Sequence, residues 1–286
     1  MSTLCGKPVA GDRALVMAIV NRTPDSFYDG GVNFTDDAAM ATVHRAVAEG
    51  ADMVDIGGVK AGPGVLVDAA EEIRRVVPFV EAIRVAYPDL LISVDTWRSE
   101  VARLAVGVGA DLINDTWAGA DPDLVGVAAE EGVGIVCSHT GGATPRTRPH
   151  RVRYTDVVAD VVAEVTAAAE KAVAAGVRAD SILIDPTHDF GKNTYHGLEL
   201  LRRVDVLVNT GWPVLMALSN KDFIGETLGV ELADRLEGTL AATALAAAGG
   251  ARMFRVHEVA STRRVVDMVA AIQGTRLPRR TTRGLA

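Results

Sequence analysis

Eight small polar clusters recur along the chain, and each directly follows an apolar run. They hold Asn21; Asp55; Asp95 with Thr96; Asn114 with Asp115; His139; Asp185; Ser219 with Lys221; and Arg255 with His257. So many polar groups at the ends of buried runs are costly unless they serve one another or a ligand. Their types describe that ligand. Asp95, Asn114 and Asp185 can accept from ring N–H and amino groups, and a carboxylate facing adjacent N–H donors makes a fixed two-bond contact with a guanine-like edge. Lys221, Arg255 and His257 supply positive charge for an anion such as pyrophosphate, and the planar guanidinium of Arg255 can stack on a flat ring. The set suits a planar nitrogen heterocycle that carries phosphate. Taken singly, Asp55, Asp115 and Thr96 read equally well as buried structural polar groups.

The elements that must position these groups are regular. The apolar runs Ala14–Val20, Met53–Ile56, Leu90–Val94, Asp111–Ile113, Gly134–Cys137, Ser181–Ile184, Pro213–Leu218 and Ala251–Val256 read as strands buried on both faces. Helical segments alternate with them: Asp36–Glu49, Val67–Ala86, Arg98–Val108, Pro122–Glu131, Thr155–Ala175, Thr194–Val208, Leu232–Ala248 and Val259–Ile272. Gly50, Gly109, Gly132, Gly176 and Gly249 fit helix C-terminal caps. Strict alternation implies a parallel sheet, and eight strands close a TIM (β/α)8 barrel, whose chemistry sits at the carboxyl ends of the strands. The alternative, a doubly wound open sheet, calls for a phosphate loop after the first strand, and the chain contains no GxGxxG or GxxxxGK[ST]. No linker or shift of composition divides the chain, so residues 1–286 are read as one domain.

Composition bounds the partners. A net charge of −8 argues against nucleic acid and anionic membranes. No apolar run reaches the ~18 residues of a membrane span, and no signal peptide is evident. Two distant cysteines, Cys5 and Cys137, form no metal pair or disulfide framework, so a reducing cytoplasm is expected. No HxH, HExxH or carboxylate–His spacing suggests zinc. His44, His150 and His196 are read as surface residues. Gly141–Tyr154 reads as a long exposed loop, and the basic tail Thr275–Arg283 as a solvated terminus.

The strand-end segments VNRTPDSFYDGG, VDIGG, ISVDTWRSEVA, INDTWAG, IDPTHDFGK, SNKDFIGETLG and RVHEV resemble, in order and with close spacing, those of dihydropteroate synthase. The resemblance runs from about Ala14 to Ile272. It implies a TIM barrel, a homodimer, and the joining of 6-hydroxymethyl-7,8-dihydropterin pyrophosphate to p-aminobenzoate with Mg²⁺ assisting. It places pterin recognition on Asp95, Asn114, Asp185, Lys221 and Arg255. It places catalysis on Asp29, Lys221, Arg255 and His257, with Mg²⁺ held through Asn21 and pyrophosphate. Phe190 and Asp222 fall in the region that binds p-aminobenzoate and sulfone drugs.

The departures from the family pattern gather on one side. The family's GGESTRPG loop is GGVKAGPG at Gly57–Gly64, so a threonine and an arginine become Ala61 and Gly62. Its Ser-Arg-Lys is Ser219-Asn220-Lys221. Asp222 replaces a serine or basic residue at a helix start, where it is expected to cap the helix and oppose a bound carboxylate. Thr187-His188-Asp189 replaces a glycine-rich turn, adding bulk and charge below the pterin edge. The pterin-recognising acids and amide are intact. The sequence therefore reads as a paralogue that keeps a pterin pocket and performs little or no dihydropteroate synthesis. The alternative is an active synthase. A pterin-carrying methyltransferase module is disfavoured, because nothing in the chain supplies a corrinoid partner.

Overall fold

The computed structural model describes residues 2–23, 35–147 and 153–283. A short hairpin, β1 (Ser2–Leu4) and β2 (Lys7–Val9), precedes the barrel. Eight parallel strands follow: β3 (Leu15–Asn21), β4 (Met53–Gly57), β5 (Leu91–Asp95), β6 (Leu112–Asp115), β7 (Gly134–Ser138), β8 (Ile182–Asp185), β9 (Leu215–Met216) and β10 (Met253–Val256). They pair in the order β8-β7-β6-β5-β4-β3-β10-β9. A single bridge, Ile184 to Val214, joins the two ends and nearly closes the barrel. The expected barrel is therefore present, with each strand's ends within about two residues of its apolar run; in the seventh only Leu215 and Met216 keep ladder geometry.

The outer layer holds α1 (Asp36–Ala48), α2 (Ala69–Ala86), α3 (Ser99–Gly107), α4 (Leu124–Glu131), α5 (Val157–Ala175), α6 (Thr194–Arg202), α7 (Val204–Val208), α8 (Asp222–Leu228), α9 (Leu236–Ala248) and α10 (Val259–Ile272). The segment Thr194–Val208, expected as one helix, breaks at Arg203, whose φ of −113° and ψ of 33° leave the helical region. Leu232–Asp234 forms a separate 3₁₀ turn before α9. Gly132 and Gly176 cap α4 and α5 in left-handed geometry. After α9 that role falls to Gly250 (φ 103°), because Gly249 keeps a helical φ of −74°.

Two apolar layers form the core. One lies between sheet and helices. The other fills the barrel with Leu15, Met17, Met53, Leu91, Leu112, Val136, Leu183, Leu215 and Met253, with Leu4 of the hairpin packed into it. The hairpin seats against Gly134, where an added Cβ would lie 2.6 Å from the Cys5 sulfur and 2.5 Å from the Ser181 carbonyl. Lys7 bridges to Asp111, which also pairs with Arg84. The tail is less free than the sequence suggests: Arg276 pairs with Asp12 at 2.6 Å and Arg279 with Asp267 at 2.7 Å. Among the described residues no helix is long and apolar enough to cross a membrane.

Candidate functional site

Every second residue of a strand faces the same side of the sheet. The faces that bury Leu15 and Met17, Met53, Leu91, Leu112, Leu183, Leu215 and Met253 in the barrel therefore present, towards the carboxyl ends, Asn21, Asp55, Ser93 and Asp95, Asn114, Asp185, Ser219, and Arg255 and His257. Asn21, Asp95, Asn114, Asp185, Ser219, Lys221, Arg255 and His257 line one cleft at the mouth. Thus the structure brings together the expected pterin, cation and Asn21 positions. Asp29 lies outside the described residues.

Asp55 is the hub beneath the cleft. Its side chain is fully buried and accepts from Ser93 Oγ at 2.6 Å, Asn114 Nδ2 at 3.1 Å and Arg255 Nε at 2.5 Å. The bond to Asn114 fixes that amide with its oxygen as the remaining acceptor. Arg255 also donates from Nη2 to Asp95 at 2.7 Å, and Thr116 Oγ1 donates to the other Asp95 oxygen at 3.0 Å. Burial pushes Asp95 upward against the pull of Arg255. Burial likewise raises Asp185 to about 6, partly offset by the Thr187 N–H that its Oδ1 accepts at 2.7 Å. Burial lowers Lys221, whose ammonium lies 5.0 Å from the Phe190 ring centre.

His257 and His188 differ from their sequence reading, whereas His44 is exposed as expected and His150 lies outside the described residues. Burial beside Arg255 and Lys221 holds His257 at about 3, so at neutral pH it brings N–H and lone pair to the cleft rather than charge. Its Nδ1 lies 2.9 Å from Ser219 Oγ. His188 is fully buried, with its ring beside Phe223 and Gly197, and burial holds it at about 3. It therefore adds no charge below the pterin edge. His139, also fully buried, turns away from the cleft towards α5.

A second cavity adjoins the first, sharing Ala61, Gly62, Phe190 and Lys221, and is walled by Trp117, Asp189 and Asp222. Phe190 meets Trp117 edge-on with centroids 4.8 Å apart. Phe190 and Asp222 thus line one cavity, but Asp222 does not cap the helix as expected. It is the first residue of α8, its carboxylate is exposed, and it pairs with Arg235 at 2.9 Å. The carboxylate that meets the start of α8 belongs to Asp189, which accepts the Asp222 N–H at 2.7 Å. Asp189 reaches this place with a left-handed φ of 71°. Asn220, also left-handed at φ 57°, is buried, with its amide bonded to Glu258 and Thr239. Arg146, from the segment read as a long exposed loop, of which 148–152 lie outside the described residues, donates to the Gly62 carbonyl at 3.4 Å and the Val65 carbonyl at 2.6 Å, tying it to the GGVKAGPG loop. Tyr154 donates to the Gly191 carbonyl at 2.9 Å.

Sequence reasoning left Asp55 equally balanced between a site and a structural role, and it did not single out Thr116 or Trp117. It placed Asp189 in the altered turn, but its meeting with the start of α8 depends on that helix arriving beside it.

The pterin binding enzyme family matches residues 17–257. A Mycobacterium leprae protein called inactive dihydropteroate synthase 2 is 73% identical over 100% of this chain and 99% of its own length. A Streptococcus pyogenes dihydropteroate synthase is 38% identical over 93% of this chain and 98% of its own. The solved Yersinia pestis dihydropteroate synthase, in complex with a sulfonamide drug, superposes with a TM-score of 0.89 at 34% identity, covering 96% of this chain and 99% of that one. The chain belongs to the pterin binding enzyme family, alongside the dihydropteroate synthases.

Proposed function

We propose that the barrel binds a pterin-like heterocycle through Asp95, Asn114, Asp185, Lys221 and Arg255 and performs little or no dihydropteroate synthesis. The carrying observation is the contrast between the two cavities. The first keeps acceptors matched to a pterin edge. The second has Ala61 and Gly62 in its wall and the Asp189 carboxylate at the helix start, where an incoming carboxylate would need its donors. The relative called inactive, at 73% identity, supports this reading over an active synthase. Lys221, Arg255 and His257, with Asp29, are the residues left for any residual chemistry. An uncharged sulfone suffers less from Asp189 than p-aminobenzoate does.

Mg²⁺ fits this reading as an ion carried in on pyrophosphate. The Asn21 side-chain oxygen is a hard donor suited to it, and Gly57 leaves room beside it, since a Cβ there would lie 3.3 Å from that oxygen. When bound, the ion neutralises charge on the leaving group.

Isothermal titration with a pterin pyrophosphate, together with complementation of a synthase-deficient strain, tests the proposal. Binding without complementation is expected; complementation at normal expression overturns it. Asp185 must be ionised to accept a ring N–H, and its free value is about 6. Binding therefore releases a proton below that value. Burial raises Asp95 to about 7 as well, so affinity should be level above about pH 8 and weaken by tenfold per unit or more below about pH 6. Asp185→Asn should weaken binding by ~1–3 kcal/mol and remove its contribution to the slope. Unchanged affinity would remove Asp185 from the site.

The homodimer is likewise a proposal. Leu245 of α9 and Met268 and Ile272 of α10 are 70%, 61% and 73% exposed, on helices that pack together. Light scattering should give twice the 30.0 kDa chain mass, and Leu245→Glu with Ile272→Glu should give the monomer. A monomeric parent protein would refute the assembly.

A further inference from the structure

Outside the cleft, one cluster of potential metal ligands is left unexplained by pterin binding. His139 follows β7, its side chain is fully buried, and its Nε2 points at α5. There it lies 2.9 Å from Asp160 Oδ1 and 3.4 Å from Glu164 Oε2. The two acids stand one helical turn apart, so their charges repel. Among the described residues, no lysine or arginine side chain forms an ion pair with either of them. The nearby ammonium of Lys192 is spent on backbone, donating to the carbonyls of His139, Thr187 and Phe190 at 3.0, 3.2 and 3.0 Å. One Nε2 proton cannot serve two carboxylates well, so the cluster is short of positive charge.

We propose that His139, Asp160 and Glu164 form a divalent-metal site, with zinc or manganese as the preferred class, separate from the pterin cleft. The donor atoms all lie within 4.8 Å of one another. A tetrahedral ion with bonds of about 2.1 Å sets its donors about 3.4 Å apart. The two Nε2–carboxylate separations, 2.9 and 3.4 Å, are near that edge length. One imidazole and two carboxylates fit a three-ligand site that leaves a position for water. Asp160 and Glu164 are 45% and 53% exposed, which gives an ion a path from solvent. The buried ring holds the third ligand in place. Such an ion would join the end of β7 to α5. Through the His139 carbonyl and Lys192 it would also brace the turn that carries Asp189 and Phe190. No zinc spacing shows in the sequence because the histidine and the acids are brought together by the barrel rather than by a short motif.

The test uses the full chain, stripped with chelator and titrated with Zn²⁺ and Mn²⁺ by calorimetry, with Co²⁺ absorption as a spectroscopic probe. One equivalent should bind and raise the melting temperature. Glu164→Gln and Asp160→Asn change exposed groups isosterically and should each weaken binding by about tenfold or more and reduce the thermal shift, while Asn21→Ala changes neither. His139→Gln should remove the Co²⁺ ligand-field spectrum. If no ion saturates the protein, if binding survives both acid substitutions unchanged, or if Asn21→Ala abolishes it, the site is wrong.

Discussion

Mixed with 6-hydroxymethyl-7,8-dihydropterin pyrophosphate and p-aminobenzoate, the purified protein is expected to release pyrophosphate at least about 10⁴-fold more slowly than a dihydropteroate synthase. Departure of pyrophosphate places negative charge on the leaving group and positive charge on the pterin methylene. A cation aimed at such charge is worth about 10²–10³ in rate, and two family arginines are absent here, at Gly62 and Asn220. Arg146 reaches the Gly62 carbonyl, but it is engaged with backbone there. Lys60 is a cation close by, without the planar fork of arginine. The acceptor faces Asp189. Restoration should follow the geometry. Gly62→Arg is sterically open, since an added Cβ meets only Lys60 at 4.0 Å. Asp189→Gly removes the opposing carboxylate and suits a φ of 71°. Together with Ala61→Thr, these changes should raise p-aminobenzoate affinity by about tenfold and bring turnover into range of a pyrophosphate assay. Asp222→Ser alone should change little, because that carboxylate is turned to Arg235. Rapid turnover by the unmodified chain, or equal effects of Asp189→Gly and Asp222→Ser, would contradict this account.

Arg255→Met is expected to be the most damaging single change in the cleft. The guanidinium joins Asp55, whose side chain is fully buried, to Asp95. Removing one partner of a buried ion pair leaves an uncompensated charge, a loss of about 3–5 kcal/mol. For a domain of this size the melting temperature should fall by roughly 10 °C. Asp55→Asn in the same chain should recover part of that loss. Pterin affinity should not recover, because Arg255 is itself a proposed pterin contact. Equal melting temperatures for Arg255→Met and the parent would show that the Asp55–Arg255–Asp95 network does not stabilise the barrel.

The parts of the molecule legible in the sequence are those with a local period. Apolar runs located all eight barrel strands, and their polar ends located the cleft. The homologous segments placed Phe190 and Asp222 beside the second cavity. What the sequence hid is which partners these residues meet, because those lie on distant segments. Asp189 meets α8, Arg146 the loop after β4, and Asp55 side chains of β5, β6 and β10. His257 was assigned a charge from its residue type, and burial beside two cations removes it. The hairpin at the start of the chain was missed because its strands have only three residues each, too few for alternation to show.

Placing β3 between β4 and β10 sets a timetable for synthesis. The first barrel strand acquires one neighbour early and the other only when Val256 has emerged, 241 positions after Leu15. At about 5–20 residues per second, that is a wait of roughly 10–50 s with an open edge. The contacts that tie down the segment leading into β3 are equally late: Arg252 reaches the Ala10 and Arg13 carbonyls, and Arg263 reaches the Ala14 carbonyl and Asp52. The nascent chain therefore carries an unfinished barrel until β10 has emerged. A ribosome that stalls or terminates after α9 releases a chain with β3 and β9 both unpaired on the side that β10 should fill, a ready template for aggregation.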